Sequence, residues 1–221
     1  MKTDLQKEIL KQTEQFVFQL LKKDASGHDW WHIHRVRNLA LQMAAEEPGE
    51  VDAFICEMAA LLHDVPDEKL NETPEAGEKK LTDWLNQLSL TQAEKESLLF
   101  IVLNLSYKGG TNKIEMTSIE GKLVQDADRL DAIGAIGIAR TMAYSGSRGR
   151  LIHDPSKMPR DGVSYEKYRS GEDTAIMHFY EKLLKLKDTM NTQTGRSFAE
   201  NRHQFMEQFL QEFYLEWDGL K

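Results

Sequence analysis

Apolar residues recur along this chain every three or four positions, and nowhere do they alternate convincingly as a strand would require. Leu5, Ile9, Phe16, Val17 and Leu20 lie on one stripe and predict a first amphipathic helix. Residues 24–27 break the pattern. Val36, Leu39, Ala40 and Met43 mark a second helix, closed by Pro48-Gly49. Residues 51–64 read as a third helix, which Pro66 stops because the residue before a proline is pushed out of the helical region. Residues 71–77 read as a polar connection, followed by a fourth helix through Leu81, Trp84, Leu85 and Leu88. Thr91 with Glu94 forms a capping box for a fifth, carrying Leu98, Leu99, Val102 and Leu105 and ending at Gly109-Gly110.

A second capping box, 117–120, opens the longest helical pattern, 119–144, with Leu123, Ala127, Leu130, Gly134 and Ile138 on one stripe. Gly134 and Gly137 each cost a helix about 1 kcal/mol relative to alanine, which points to close approach of another helix or a ligand. Residues 145–171 read as irregular, a length uncommon unless the segment is a lid, a binding loop or disordered. Ile176, Phe179, Tyr180, Leu183, Leu184 and Leu186 define the next helix, and Phe198, Arg202, Phe205, Met206, Phe209 and Phe213 the last. The expectation is an all-α fold in a single domain over 1–221, with a core at about 25–145, a basic loop at 145–171 and closing helices at 172–217.

Composition narrows the function. The 221 residues are 40% hydrophobic and 29% charged, an ordinary globular balance. A net charge of −8 argues against a duplex nucleic-acid partner held by a broad basic face. It leaves room for a small anionic substrate, which needs only a local cation cluster or a metal. Cys56 is the only cysteine, the N-terminus leads into no signal-like apolar run, and no 18-residue apolar stretch occurs. The expectation is a cytoplasmic protein with no membrane partner, a monomer or a homodimer.

Three segments carry candidate chemistry. One turn back from Val36 lies His32, on the inward face of its helix, whereas His34 lies about 200° further round. His63-Asp64 ends the third helix, where both side chains can project into a site. Asp126, Asp128 and Asp131 fall within six residues. Asp128 and Asp131 share a face near the apolar stripe, where an acid is costly unless paired or bound to metal. An ion-pair network with Arg129 is the plain alternative for this segment. Together His32, His63, Asp64 and Asp128 offer two imidazoles and two carboxylates, a donor set suited to a divalent transition ion with coordination positions open for water and substrate.

The order H-x-x-R-V (32–36), then an apolar helix ending H-D (63–64), then A-D-R-L (127–130) resembles the HD-domain superfamily of metal-dependent phosphohydrolases. The longer strings at 60–69 and 122–140 resemble the bacterial YpgQ/YedJ type, and the likeness continues through 178–186. The resemblance implies metal ligands His32, His63, Asp64 and Asp128, with Asp126 and Asp131 orienting ligands or pairing with arginines. Many HD phosphohydrolases carry further histidines after the HD helix. Residues 102–107 hold none, which favours one divalent metal, Mn²⁺ first, with Co²⁺, Fe²⁺, Ni²⁺, Zn²⁺ and Mg²⁺ as alternatives.

The resemblance also implies a nucleotide substrate, most specifically a nucleoside triphosphate split into monophosphate and pyrophosphate. Glu68, ahead of Asp67, is the candidate to position or deprotonate the attacking water. Lys69, Lys108, Arg129, Arg140, Arg148, Arg150, Lys182 and Lys185 are candidates to neutralise phosphate charge. The competing readings are a phosphodiesterase or 5′-nucleotidase, an alarmone hydrolase and a non-catalytic metal-keeping sensor.

Overall fold

The computed structural model describes residues 2–22, 29–105, 114–160 and 173–221, and among them there is no β-strand. The helices are α1 (Asp4–Leu21), α2 (Trp30–Glu46), α3 (Ala53–Leu62), α4 (Pro74–Gln87), α5 (Gln92–Asn104), α6 (Ile119–Asp131), α7 (Gly134–Ser147) and α8 (Ala175–Glu181). A 3₁₀ helix, Leu183–Thr189, and α9 (Gln193–Trp217) complete the order. The all-α expectation holds. None of the described helices is long and apolar enough to cross a membrane. The chain forms two compact units, residues 1–127 and 128–221, and the division falls inside α6.

The first unit is built around α3. Every α3 residue from Phe54 to Leu62 is buried, and α1, α2 and α5 all pack on it, as an all-round apolar helix demands. The one charge in this helix, Glu57, is 4% exposed. Arg37 of α2 donates to it through Nε at 2.8 Å, Lys2 pairs with it, and Arg37 also reaches Glu14 of α1 at 2.9 Å. A buried carboxylate is tolerated here because its partners come with it.

Two element boundaries differ from the sequence expectation. Helix α4 begins at Pro74, inside the stretch read as a polar connection. Thr73 caps it by accepting the Ala76 N–H at 3.2 Å, and Pro74 at the first helical position needs no donor there. Gly77 in its first turn lies so close to the turn after α3 that a Cβ would sit 2.6 Å from the Pro66 carbonyl oxygen. At α6 the cap is Ser118, one residue after the Thr117 that the expected box would use. Ser118 Oγ accepts the Gly121 N–H at 3.1 Å, but the Glu120 carboxylate takes the Asp52 N–H at 2.9 Å instead of closing the box.

In the second unit, α7 packs on α8 and α9, and the 3₁₀ helix packs on both α8 and α9. The single long helix expected over 119–144 is two helices. The end of α6 tightens through Ala132 N–H to Arg129 O and Ile133 N–H to Leu130 O, both 3.2 Å. Ile133 is then extended, and Gly134 adopts φ 74°, a left-handed conformation that glycine enters without a side-chain penalty. Gly137 shows why the turn is tight, since a Cβ there would lie 2.2 Å from the Ala132 carbonyl oxygen. The helix expected over 176–186 likewise divides into α8 and the 3₁₀ segment. Residues 148–160 have no regular structure, but Leu151 O and Ile152 O accept the first N–H groups of α8 at 3.0 Å.

Candidate metal centre

Asp29 caps α2, its carboxylate accepting the His32 N–H at 2.9 Å, so His32 sits in the first turn of the helix. Its side chain is 1% exposed, on the inward face that the sequence periodicity indicated. His63 is the cap residue at the other end of α3. Its Nδ1 lies 2.8 Å from the Ala60 carbonyl oxygen, which can only accept. Nδ1 therefore carries a proton, and in the neutral ring Nε2 presents its lone pair.

That Nε2 lies 3.1 Å from Nε2 of His32. Asp64 is 6% exposed, and its two carboxylate oxygens stand 3.5 Å from the two Nε2 atoms, one each. One donor atom each from His32, His63 and Asp128 lie within 4.8 Å of one another.

The arrangement fits a small divalent cation. With donors about 2.1 Å from an ion, neighbouring donors are about 3.0 Å apart in octahedral and about 3.4 Å apart in tetrahedral geometry. The separations among His32, His63 and Asp64 span that range. Ring nitrogens and carboxylate oxygens suit Mn²⁺, Fe²⁺, Co²⁺ or Zn²⁺.

The other candidates are distributed as follows. Asp67 is half-buried in the turn after α3 and its carboxylate accepts the Lys69 N–H at 2.8 Å, while Glu68 and Lys69 are exposed. Asp126 is fully buried on α6. Asp131, 2% exposed, pairs with Arg140 at 2.5 Å, and Arg129 donates to the Thr189 carbonyl. Arg148 and Arg150 flank the exposed ring of Tyr144 at 5.4 and 5.5 Å, and Arg150 also pairs with fully buried Asp173 at 3.0 Å. Lys182 is half-buried and Lys185 exposed, and Lys108 lies outside the described residues.

Two residues acquire a part that the sequence reading did not give them. His178 of α8 is depressed to about 3 by burial, helped by the charges of Lys182 and Arg150 and opposed by Glu181. Arg202 of α9 donates to the Leu130 carbonyl at the end of α6. Burial lowers its pKa and the charge of Asp131 opposes the shift. The available signal was a guanidinium on an otherwise apolar stripe.

The HD-domain family model matches residues 30–133, the span from the start of α2 to the end of the α6 turn. The Bacillus subtilis protein YpgQ is 39% identical over 96% of this chain and 96% of its own. Among solved structures, an HD-superfamily hydrolase from Bacillus thuringiensis is 50% identical and superposes with a TM-score of 0.78, covering 96% of this chain and 98% of that one. Bacillus subtilis YpgQ in complex with ADP is 34% identical with a TM-score of 0.74, covering 96% and 100%.

Proposed function

The chain belongs to the HD-domain family, and on that premise we propose that it is a metal-dependent phosphohydrolase acting on nucleotides. The single observation that carries the reading is the meeting of the His32 and His63 Nε2 atoms at 3.1 Å beside the carboxylates of buried Asp64 and half-buried Asp128, within the span that the family model matches. The nucleotide class is supported by the ADP bound to YpgQ. The specific reaction proposed is hydrolysis of a ribo- or deoxyribonucleoside triphosphate to monophosphate and pyrophosphate.

His32, His63, Asp64 and Asp128 would hold one divalent ion, with Mn²⁺ preferred. Such an ion supplies polarisation of a phosphoryl oxygen and a lowered pKa for a coordinated water. The His63 Nδ1–H···Ala60 hydrogen bond fixes the tautomer and the ring orientation, the task that outer hydrogen bonds perform around metal-binding imidazoles. Glu68, ahead of Asp67, is the group proposed to take the proton from the attacking water. The water oxygen bonds to the α-phosphorus as the bond to the bridging oxygen breaks, and pyrophosphate leaves. Lys69 and Arg148, both exposed, are proposed to meet the phosphate charge, with Arg150 held beside Arg148 by Asp173.

Product analysis tests the reaction. The Mn²⁺-loaded protein, incubated with a panel of nucleoside mono-, di- and triphosphates, is expected to release pyrophosphate and monophosphate from triphosphates. Orthophosphate as the only released anion, or no turnover with any divalent ion, would overturn the pyrophosphohydrolase reading.

A further inference from the structure

The end of α6 is secured by more than its own backbone. Asp128 sits in the last turn of that helix, where carbonyl groups run out of intrahelical partners and the backbone tends to fray. The Arg202 guanidinium, reaching from α9, donates to the Leu130 carbonyl two residues beyond Asp128. The stem of the same side chain fills the place that a side chain at Gly134 would occupy. A Cβ there would lie 3.0 Å from both Cβ and Cγ of Arg202 and 3.3 Å from Cδ. One arginine thus covers the left-handed turn after α6 and ties down the carbonyl before it. Arg140 and Arg129 add to the hold through Asp131 and Thr189. Arg202 lies far outside the matched span of 30–133.

We infer that Arg202 is a positioning residue for Asp128, setting the affinity of the centre for its divalent ion by holding the last turn of α6. The inference rests on the reading of Asp128 as a ligand. A neighbouring arginine provides a contrast. Arg196, also on α9, donates to the carbonyls of Met190 and Asn191 at 3.0 and 3.2 Å, within its own end of the chain. Its loss should lower stability and touch α6 only at second hand, through the neighbouring Thr189 carbonyl that Arg129 holds.

The test is calorimetric titration of the chelator-treated full-length protein with Mn²⁺, with thermal melts of the metal-free forms alongside. His63→Ala is expected to bind no Mn²⁺. Arg202→Ala is expected to bind about tenfold more weakly than the unmodified protein, the usual lower limit for losing an outer support of a metal ligand. Arg202→Lys, which restores one donor on a flexible stem, is expected to recover part of that loss. Arg196→Ala should melt earlier, with a smaller loss of Mn²⁺ affinity than Arg202→Ala.

Wild-type affinity in folded Arg202→Ala, with His63→Ala inactive in binding, overturns the positioning role and leaves the metal reading standing. Equal losses in Arg202→Ala and Arg196→Ala also overturn it, since general loosening would then be the cause. Full Mn²⁺ affinity in His63→Ala overturns the metal reading, and the inference with it. Should Arg202→Ala not fold, Arg202→Lys decides, with about threefold weakening expected and unchanged affinity overturning the role.

Discussion

The donor cluster of the first unit and the cations of the second unit follow opposite rules. In the first unit, His32, His63 and Asp64 are all less than 10% exposed, and their functional atoms face one another. Hydrogen bonds involving main chain set two of them in place: the Asp29 carboxylate accepts the His32 N–H at the start of α2, and the Ala60 carbonyl accepts from His63. In the second unit, basic side chains are numerous, but several are engaged by local acceptors. Arg140 is held by Asp131, Arg150 by Asp173, Arg160 by Glu181 at 2.9 Å and Arg129 by the Thr189 carbonyl. A buried imidazole is informative because burial must be explained. An arginine is informative only once its acceptor is known.

The contrast can be broken most sharply at His63. His63→Ala is expected to leave the helical circular dichroism intact and lower phosphohydrolase turnover by at least about a thousandfold. Activity within tenfold of wild type would remove the cluster from the mechanism. The next largest effect separates engaged cations from exposed ones. Arg150→Ala strands the fully buried Asp173 carboxylate, whose Oδ1 already has no hydrogen-bond partner among the described residues, and should cost about 3 kcal/mol in urea denaturation. Arg148→Ala, at an exposed position, should change stability by less than about 0.5 kcal/mol while raising KM several-fold. Equal stability losses would erase the distinction.

His178 sharpens the comparison through pH. Its pKa falls from 6.5 to about 3 on folding, so the unfolded chain binds the extra proton. Stability from this group is complete above pH 6.5 and is lost as pH falls toward 3, by about 3 kcal/mol between pH 7 and 4. His178→Gln should flatten that part of the stability–pH curve relative to wild type, and a superimposable curve would refute the assignment. Cys56 gives a last measure, of how tightly α3 is packed. Burial pushes its thiol up to about 12, so a thiol reagent at pH 8 should modify the native protein about a thousandfold more slowly than the unfolded chain. Rapid modification would show that α3 opens readily.

What the sequence revealed was governed by local rules. The inward face of His32, the stop at Pro66 and the Thr91 box follow from helix period and capping, and they appear as read. The start of α4 was missed because Thr73-Pro74 lies among polar residues, where no apolar stripe marks a helix. The break between α6 and α7 was missed because Gly134 interrupts a continuous stripe. Its left-handed backbone leaves the apolar spacing intact, and only the tertiary placement of Arg202 reveals it. The engagement of the arginines was not legible, since their acceptors include main-chain carbonyls that every residue has.

Gly77 ends as the mechanical stop of the donor set. The smallest side chain lets the first turn of α4 rest against main chain at Pro66, two residues after Asp64. Main chain cannot swing aside as a lysine would. A single methyl group at position 77 would therefore be felt as a wedge against Pro66, pressing on the corner that follows Asp64 from behind.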